Sequence, residues 1–243
     1  MPDIIEGRNA VLEALRSGAR LERVLIALGV APHAALDEIR ARAGEAGIPV
    51  DDVDRASLTR HSARGAHQGV IGFAAPFRYA TLEEVLSRVE GRARALIIVL
   101  DHVTDPGNLG AVVRSVEVAG GDAVIIPKDR ASEVGPVVHK ASAGATAHLP
   151  IVRVTNIAQT LEALKAGGFW TAGADGDAPA DLWSAPLEGR LALVLGAEGS
   201  GLAHLTRTRC DFLVSIPVFG RVSSLNVAQA ATVLAYEWVR RGV

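Results

Sequence analysis

The first group of residues that could do chemistry lies between Asp101 and Arg114, directly after the apolar run 95–100. It reads Asp-His-Val-Thr-Asp-Pro-Gly-Asn-Leu-Gly and continues Ala-Val-Val-Arg. Asn108 stands at the expected start of a helix, where its side chain could serve as a cap. Arg114 lies further along that helix, where it could pair with Glu117 on a wet face. Alternatively, Arg114 points back towards the loop and holds a phosphate group.

The second group is the glycine-rich turn 196–201, which follows the apolar run 191–195. Its order is G-x-x-G-x-G, which is not the G-x-G-x-x-G dinucleotide fingerprint, and the sequence contains no Walker motif. Glycines after a buried strand let a ligand approach the backbone closely, although the same turn could be a simple tight connection. Glu198 in its middle would repel phosphate, so we expect it to face a cation, a hydroxyl or a donor group.

The third group is the segment 216–226, which reads Ile-Pro-Val-Phe-Gly-Arg-Val-Ser-Ser-Leu-Asn. We expect Ser223 or Ser224 to cap the last helix, 225–241, because a serine hydroxyl accepts well from the first turn. Asn226 would then lie inside that first turn, where local hydrogen bonding is good.

The elements that position these groups follow from the hydropathy pattern. Strands are expected at 96–100, 123–127, 151–154, 169–174, 191–195 and 212–216, and helices at 109–119, 133–144, 157–166 and 225–241. Continuous apolar strands that alternate with helices are typical of a parallel sheet covered on both faces. Ligands of such sheets bind beyond the carboxyl ends of the strands, which is where the three groups stand.

The chain before residue 76 has a different pattern, that of a small α/β unit. Helices are expected at 9–17 and 34–46, strands at 24–27 and 69–74, and an acidic turn at 51–54. The predicted domains are therefore 1–75, a linker and leading helix over 76–90, and 91–243. Thr81, followed by Glu84, predicts a capped start for the leading helix.

Composition excludes several classes of protein. With 49% hydrophobic residues and a net charge of -2, the 243-residue chain is not a disordered one. The single cysteine, Cys210, excludes a disulfide scaffold and favours a reducing cytoplasm. The run 95–100 is far short of the roughly 20 apolar residues that span a bilayer, and no signal peptide is expected at the acidic start. The seven scattered histidines predict no metal site.

Basic residues are concentrated in the segment 55–82, which has no acid. Its arginines are Arg55, Arg60, Arg64 and Arg78. The pI near 6.4 gives the whole chain no attraction to nucleic acid. The segment is either a solvated basic loop or a local patch that contacts phosphates.

Taken together, the three groups resemble the motifs of a known family, the SpoU (TrmH-like) RNA 2′-O-ribose methyltransferases of the SPOUT superfamily. The resemblance rests on Asp105-Pro-Gly-Asn-Leu-Gly with Arg114, Leu195-Gly-Ala-Glu-Gly-Ser-Gly, and Ile216-Pro with Ser223-Ser-Leu-Asn-Val. The segment 6–15, Glu-Gly-Arg-Asn-Ala-Val-Leu-Glu-Ala-Leu, is similar to the opening of the family's substrate-binding domain. The resemblance covers nearly the whole chain and is nearest to the branch that methylates a guanosine of bacterial 23S ribosomal RNA.

The resemblance implies a fold and partners that the residues alone do not show. The fold would be α/β, with a mostly parallel sheet whose C-terminal part forms a deep trefoil knot, an exception to the rule that connections do not thread loops. A small N-terminal α/β domain like ribosomal protein L30 would precede it. The co-substrate would be S-adenosylmethionine, with no metal. The enzyme would be a cytoplasmic homodimer joined through the last helix, where an apolar face bearing Ala228 and Ala235 suits a subunit contact.

The resemblance also implies roles for individual residues. The cofactor would be held, mostly through backbone, by Ala172, Gly173, Leu195, Gly196, Ile216 and Leu225. The catalytic set would be Arg114, Asn108, Glu198, Ser224 and Asn226. RNA would be bound by Arg55, Arg60, Arg64 and Arg78. The family's proposal makes Arg114 the base for the ribose 2′-OH. Because a guanidinium stays protonated in proteins, an arginine that positions a substrate phosphate, with the phosphate or a water taking the proton, is equally compatible.

Three alternatives remain open at this stage. The same chemistry could act on a tRNA guanosine or on another ribosomal ribose. The chain could be a non-catalytic RNA-binding protein on the same fold. A nicotinamide-dependent oxidoreductase is disfavoured, because the first strand is followed by Asp101-His-Val-Thr and not by the dinucleotide fingerprint.

The arginine patch can be tested by replacing Arg60 and Arg64 with glutamine. We expect RNA affinity to fall and the dependence of log K on log salt to flatten by about 0.7–0.9 for each lost phosphate contact, with cofactor affinity unchanged. Filter binding of RNA across a potassium chloride series measures both quantities. An unchanged RNA affinity would reject the patch.

Overall fold

The computed structural model describes residues 3–62 and 65–242, which form two β-sheets in two compact units. The first unit comprises Met1–Arg78 with Val134–Lys140, and the second comprises Tyr79–Glu133 with Ala141–Val243. The sequence pattern gives no sign that 134–140 joins the first unit. The domain boundaries expected from the sequence stay a prediction.

The first unit is built on a four-stranded sheet in the order β1-β4-β2-β3. Its elements are β1 (Asp3–Glu6), α1 (Arg8–Arg16), β2 (Leu21–Ala27), α2 (Ala34–Glu45), β3 (Val50–Val53), α3 (Arg55–His61) and β4 (Val70–Ala74). β4 runs antiparallel to both of its neighbours, and β2 runs parallel to β3. Val24 packs in one core with residues of α1 and α2, whereas the adjacent Leu25 packs with Leu58 of α3. Alternate β2 side chains thus bury both faces of the sheet.

Two expectations for this unit are wrong. The acidic turn is in fact strand β3, because Asp51 and Asp52 pair in register with β2. Arg23 lies 2.6 Å from Asp51, and Arg40 pairs with Asp52, so opposite charges accompany both acids. The start of the basic segment is helix α3 rather than a loop, and the Asp54 carboxylate caps it by accepting from the Ser57 amide at 2.8 Å.

The second sheet has six strands in the order β10-β8-β9-β5-β6-β7, and every neighbouring pair is parallel. From residue 82 onwards the elements are α4 (Leu82–Arg88), β5 (Ala95–Asp101), α5 (Pro106–Val118), β6 (Ala123–Pro127), α6 (Pro136–Ala141), a 3-10 turn (Ala145–Ala147), β7 (Ile151–Val154), α7 (Ile157–Ala166), β8 (Trp170–Ala174), β9 (Arg190–Gly196), α8 (His204–Arg209), β10 (Phe212–Val214) and α9 (Val227–Arg240). The expected α/β fold with a mostly parallel sheet is confirmed.

Helices cover both faces of this sheet, which explains why β5 is an unbroken apolar run, buried along its length. On one face, Val85 of α4 and Leu161 of α7 pack in one cluster with Ile97 and Val99. Helices α5 and α9 contact each other and the central strands β5, β6 and β9. No helix in the described ranges is long and apolar enough to cross a membrane.

The strand order reverses in the middle of the sheet. The chain passes from β5 outwards through β6 and β7, then crosses to build β8, β9 and β10 on the other side of β5. In open α/β sheets such a reversal leaves a crevice at the carboxyl ends of the two central strands. Here those ends are Asp101 and Gly196, which are paired in register.

The prediction that the alanine face of the last helix contacts another subunit is wrong. Ala228 and Ala235 are 7% and 0% exposed, because both pack inside the second unit. The apolar residues that α9 does present to solvent are Val233 and Tyr236, at 37% and 46% exposure.

Helix α9 ends in a charge cluster around the buried Glu237, and this cluster has a pH-dependent consequence. Arg240 and then Arg241 hydrogen-bond the Glu237 carboxylate at 2.7–2.8 Å and lower its pKa to about 2. Because the folded-state pKa lies below the ordinary value, the stabilisation is present above about pH 4.5 and is lost as the pH falls towards 2. Arg241 also donates to the Trp183 carbonyl at 2.6 Å, so the cluster anchors the loop before β9.

We therefore expect Glu237→Gln to lower the free energy of unfolding at pH 7 by about 1.5–3 kcal/mol, the range for hydrogen bonds to charged groups. The difference from the parent chain should shrink as the pH falls from 4.5 to 2. Urea unfolding at pH 7, 4 and 3 measures it. Glu162→Gln, which removes an exposed ion pair with Arg209, should change stability by less than about 1 kcal/mol. A Glu237 effect independent of pH would contradict the assignment.

Candidate active site

The candidate site lies in the second unit, at the carboxyl ends of β5, β9 and β10. Each of these strands is followed by one of the three polar segments found in the sequence. Their side chains come from positions up to 118 residues apart in the chain, and the sheet order brings them to one edge.

Asp101, the last residue of β5, fastens this edge, and sequence reasoning did not single it out. It is 1% exposed, and its Oδ2 accepts from the Ala203 amide at 2.9 Å. Its Oδ1 lies 2.5 Å from Nδ1 of His102, which has a left-handed backbone (φ 62°). One buried carboxylate therefore fixes both the end of β5 and the loop after β9. The only feature of the sequence that marks Asp101 is that it is an acidic residue at the end of the apolar run 95–100.

The loop after β9 folds back on itself in a way that requires glycine at position 196. A Cβ there would lie 2.0 Å from the carbonyl carbon of Gly201. The Gly201 amide donates to the Ala197 carbonyl at 2.9 Å and closes the turn. The turn leaves Glu198 exposed at its tip.

The expectation that Asn108 caps α5 is wrong. The cap is Asp105, whose carboxylate accepts from the Asn108 amide at 2.7 Å, with Pro106 at the first helical position. The side chain of Asn108 is thereby available for another contact. It donates from Nδ2 to Oε1 of Glu198 at 3.0 Å.

The expectation that Ser223 or Ser224 caps the last helix is also wrong. Asn226 is the cap, and its Oδ1 accepts from the Ala228 amide at 2.9 Å. That bond fixes the orientation of the amide group, so Nδ2 must point away from the helix. Nδ2 donates to Glu198 Oε1 at 2.5 Å and to Asn108 Oδ1 at 2.8 Å.

Asn108, Glu198 and Asn226 thus form one hydrogen-bonded cluster, here called the loop triad, with a residue from each polar segment. The Val227 amide also points at Glu198 Oε1, at 3.5 Å. Of the three partners expected for Glu198, a cation, a hydroxyl or a donor group, the structure shows donor groups. The triad locks three loops into a single rigid edge, which is what a site needs to hold a ligand in a fixed geometry.

Arg114 and Ser224 lie in the same unit but do not join the triad. Arg114 is exposed on α5 and, within the described residues, pairs with no acid, so of the two alternatives weighed from the sequence the ion pair with Glu117 does not form. Its guanidinium is therefore available to an anionic ligand. Ser224 is exposed in the loop before α9.

The residues expected at the cofactor lie at the ends of three adjacent strands. Ala172 and Gly173 of β8 pair with β9 and β10, Leu195 and Gly196 end β9, Ile216 follows β10, and Leu225 is 41% exposed just before α9. At Gly173, a Cβ would lie within 3.0 Å of Leu202, Leu213 and Cys210, so protein atoms already fill that side. Burial raises the pKa of the Cys210 thiol to about 12, which keeps it protonated and unreactive.

The arginines expected to bind RNA belong to the first unit. Arg55 and Arg60 are exposed on α3, where Arg60 donates to the Ser57 hydroxyl at 2.6 Å, and Arg78 is exposed near the end of the unit. Arg64 lies outside the described residues.

Comparison with known proteins identifies the class to which this fold and site belong. Residues 95–236 match the SpoU rRNA Methylase family, and residues 4–80 match a domain described as RNA 2'-O ribose methyltransferase substrate binding. The chain belongs to the SpoU family of RNA methyltransferases, as the resemblance of its three motifs implies.

Individual relatives agree with this assignment. A protein of Staphylococcus epidermidis named as a TrmH family tRNA/rRNA methyltransferase is 38% identical over 239 residues, covering 98% of this chain and 95% of that protein. The SpoU methyltransferase AviRb from Streptomyces viridochromogenes, solved in complex with the cofactor AdoMet, is 26% identical with a TM-score of 0.69, covering 98% and 90% of the two chains. An RNA 2'-O ribose methyltransferase structure is 28% identical with a TM-score of 0.63, covering 98% and 88%.

The triad can be tested by removing its shared acceptor. We expect Glu198→Ala to reduce RNA methyl transfer by about 10²-fold, because small displacements of a positioned group cost that much. Glu198→Gln keeps an acceptor oxygen and should lose less. The measurement is single-turnover transfer of labelled methyl groups. Glu188→Ala, at an exposed acid just before β9, is the matched control, and full activity of Glu198→Ala would contradict the role of the triad.

Proposed function

We propose that this chain transfers a methyl group from S-adenosylmethionine to the ribose 2′-OH of a guanosine in 23S ribosomal RNA. The observation that carries the proposal is the loop triad at the point where the strand order reverses. It joins the three family motifs by direct hydrogen bonds. The substrate-binding match over residues 4–80 supports an RNA substrate.

The residues at the strand ends fit S-adenosylmethionine. The ends of β8, β9 and β10 lie side by side, and they offer backbone carbonyl and amide groups together with the exposed apolar side chain of Leu225. These are the groups that an adenosine and an amino acid bind through. We propose Ala172, Gly173, Leu195, Gly196, Ile216 and Leu225 as the cofactor-binding residues. When bound, the cofactor supplies an electrophilic methyl group on a sulfonium.

Arg114 is the residue proposed to hold the reacting nucleotide. Because it pairs with no acid in the described chain, it can bind a phosphate of the RNA through two parallel hydrogen bonds. In the reaction the ribose 2′-oxygen bonds to the methyl carbon as the carbon–sulfur bond breaks. The 2′-OH proton passes to the phosphate beside Arg114 or to a water. Asn108, Glu198 and Asn226 hold the loops around this point, and Ser224 borders it.

The guanosine and the 23S ribosomal RNA are proposed from the motif resemblance. The named relatives act on tRNA or rRNA according to their names, so a tRNA guanosine or another ribosomal ribose is the alternative substrate. We also propose a cytoplasmic homodimer joined through α9, with Val233 and Tyr236 as the exposed apolar residues available to a partner. The trefoil knot stays a prediction.

The decisive experiment is methyl transfer from labelled S-adenosylmethionine to unmethylated 23S rRNA, with total tRNA in parallel. We expect label in 23S rRNA that protects one site from alkaline cleavage, because a methylated 2′-oxygen cannot attack its phosphate. Arg114→Ala should reduce this rate by about 10²-fold or more. Arg88→Ala, at an exposed arginine of α4, is the matched control.

Each other outcome identifies a different error. Label in tRNA alone would keep the chemistry and overturn the substrate. Full activity of Arg114→Ala would reject the role of that arginine. Cofactor binding without transfer to rRNA, to tRNA or to a ribosome precursor would reject the enzymatic assignment in favour of a protein that only binds RNA.

A further inference from the structure

A cavity of about 520 Å³ lies wholly in the first unit and contains none of the methyl-transfer residues. It is open to solvent on one side and is lined by the starts of α1 and α3, the loop after β2, and the turn at 68–69. A volume of this size is in the range of sites that bind small ligands. Among its lining residues, Arg8 and Asn9 belong to the segment 6–15 and Arg55 belongs to the basic segment 55–82, both described above from the sequence.

The charged lining of the cavity is positive. Arg8 and Arg55 contribute guanidinium groups, and no described residue that lines the cavity is acidic. Arg8 donates from Nε to the Gln68 carbonyl at 3.0 Å, which orients the side chain while its two terminal nitrogens bind nothing in the described chain. Arg55 likewise has no acidic partner there. Two unpaired arginines in one cavity favour a phosphate-bearing ligand.

The remaining polar lining can read the edge of a base. Asn9 and Gln68 each offer a side-chain amide. His33 accepts from the Ala35 amide through Nδ1 at 3.1 Å, so in the neutral ring Nε2 carries the hydrogen and donates. Gln68 also has a left-handed backbone (φ 49°), which is uncommon for a residue other than glycine and concentrates at functional sites.

We propose that this cavity binds one unpaired nucleotide of the RNA substrate. Arg8 and Arg55 hold its phosphate, and Asn9, His33 and Gln68 contact its base. The base must be unpaired, because the base edges of double-stranded RNA are used in base pairs inside the helix. Bases of loops and bulges can instead turn outwards into a pocket. This inference rests on the proposed function for the identity of the ligand. It assigns to the first unit the recognition of a base, in addition to electrostatic attraction of the RNA.

The test uses the full-length chain without cofactor and a mixed-sequence RNA dodecamer, either single-stranded or annealed to its complement. We expect Arg8→Gln with Arg55→Gln to weaken single-strand binding by on the order of tenfold. The salt slope should flatten by about 0.7 per lost contact. The matched control is Arg23→Gln with Arg40→Gln, which removes the same charge from two arginines already paired with acids. The duplex should bind more weakly than the single strand and depend less on Arg8 and Arg55.

Two further variants separate binding from folding. Arg55→Gln alone changes an exposed side chain at the start of α3, so we expect it to weaken RNA binding while the free energy of unfolding changes by less than about 0.5 kcal/mol. His33→Asn keeps an acceptor for the α2 cap but removes the imidazole, and it should alter the preference among homopolymeric RNAs. A dodecamer carrying 4-thiouridine should cross-link to residues 28–31, which line the cavity.

Binding by the double variant equal to that of its control, or equal affinity for single strand and duplex, would overturn the inference. Because binding is measured without methyl transfer, its failure is distinct from failure of the proposed function. If the enzyme methylates 23S rRNA and the cavity variants bind RNA normally, only the proposed role of the cavity is rejected.

Discussion

The acceptor oxygen Oε1 of Glu198 is the point on which the candidate site depends. Amide groups from the first and third polar segments both donate to this atom. A carboxylate can accept several hydrogen bonds at once, and those bonds are stronger than neutral ones. A single side chain therefore sets the spacing of three loops that the sheet alone would only bring near each other.

The rest of the second unit supports that contact. The buried carboxylate of Asp101 holds the far side of the glycine loop at Ala203, and Gly196 allows the loop to close against Gly201. Asp105 and Asn226 cap the two helices that leave the site, α5 and α9. Each of these residues satisfies backbone groups that a loop or helix end would otherwise leave unpaired. The site is thus held by its own termini and turns rather than by bulky packing.

Much of the fold follows from the sequence pattern, and the cap at Thr81 shows why. Its hydroxyl accepts from the Glu84 amide at 3.1 Å in a capping box formed by residues three apart, so local sequence suffices. The sequence pattern does not predict the caps of α5 and α9, because several good capping residues stand in a row, and the side chains of Asn108 and Asn226 are oriented by the distant Glu198. Strand β3 does not follow from the sequence pattern, because two adjacent acids are typical of a turn and their partners Arg23 and Arg40 are distant in the chain. Local signals predict elements, whereas long-range partners determine the roles of polar residues.

The parallel sheet has a further consequence for how the chain reaches its native state. Asn226 and Asn108 are 118 residues apart, and Glu198 and Asn108 are 90 apart. Closing such long loops costs entropy before any contact compensates for it, and non-local topology slows folding. The triad cannot form until β5, β9 and β10 have all found their places. Affinity for a ligand at this edge therefore reports completion of the whole second unit.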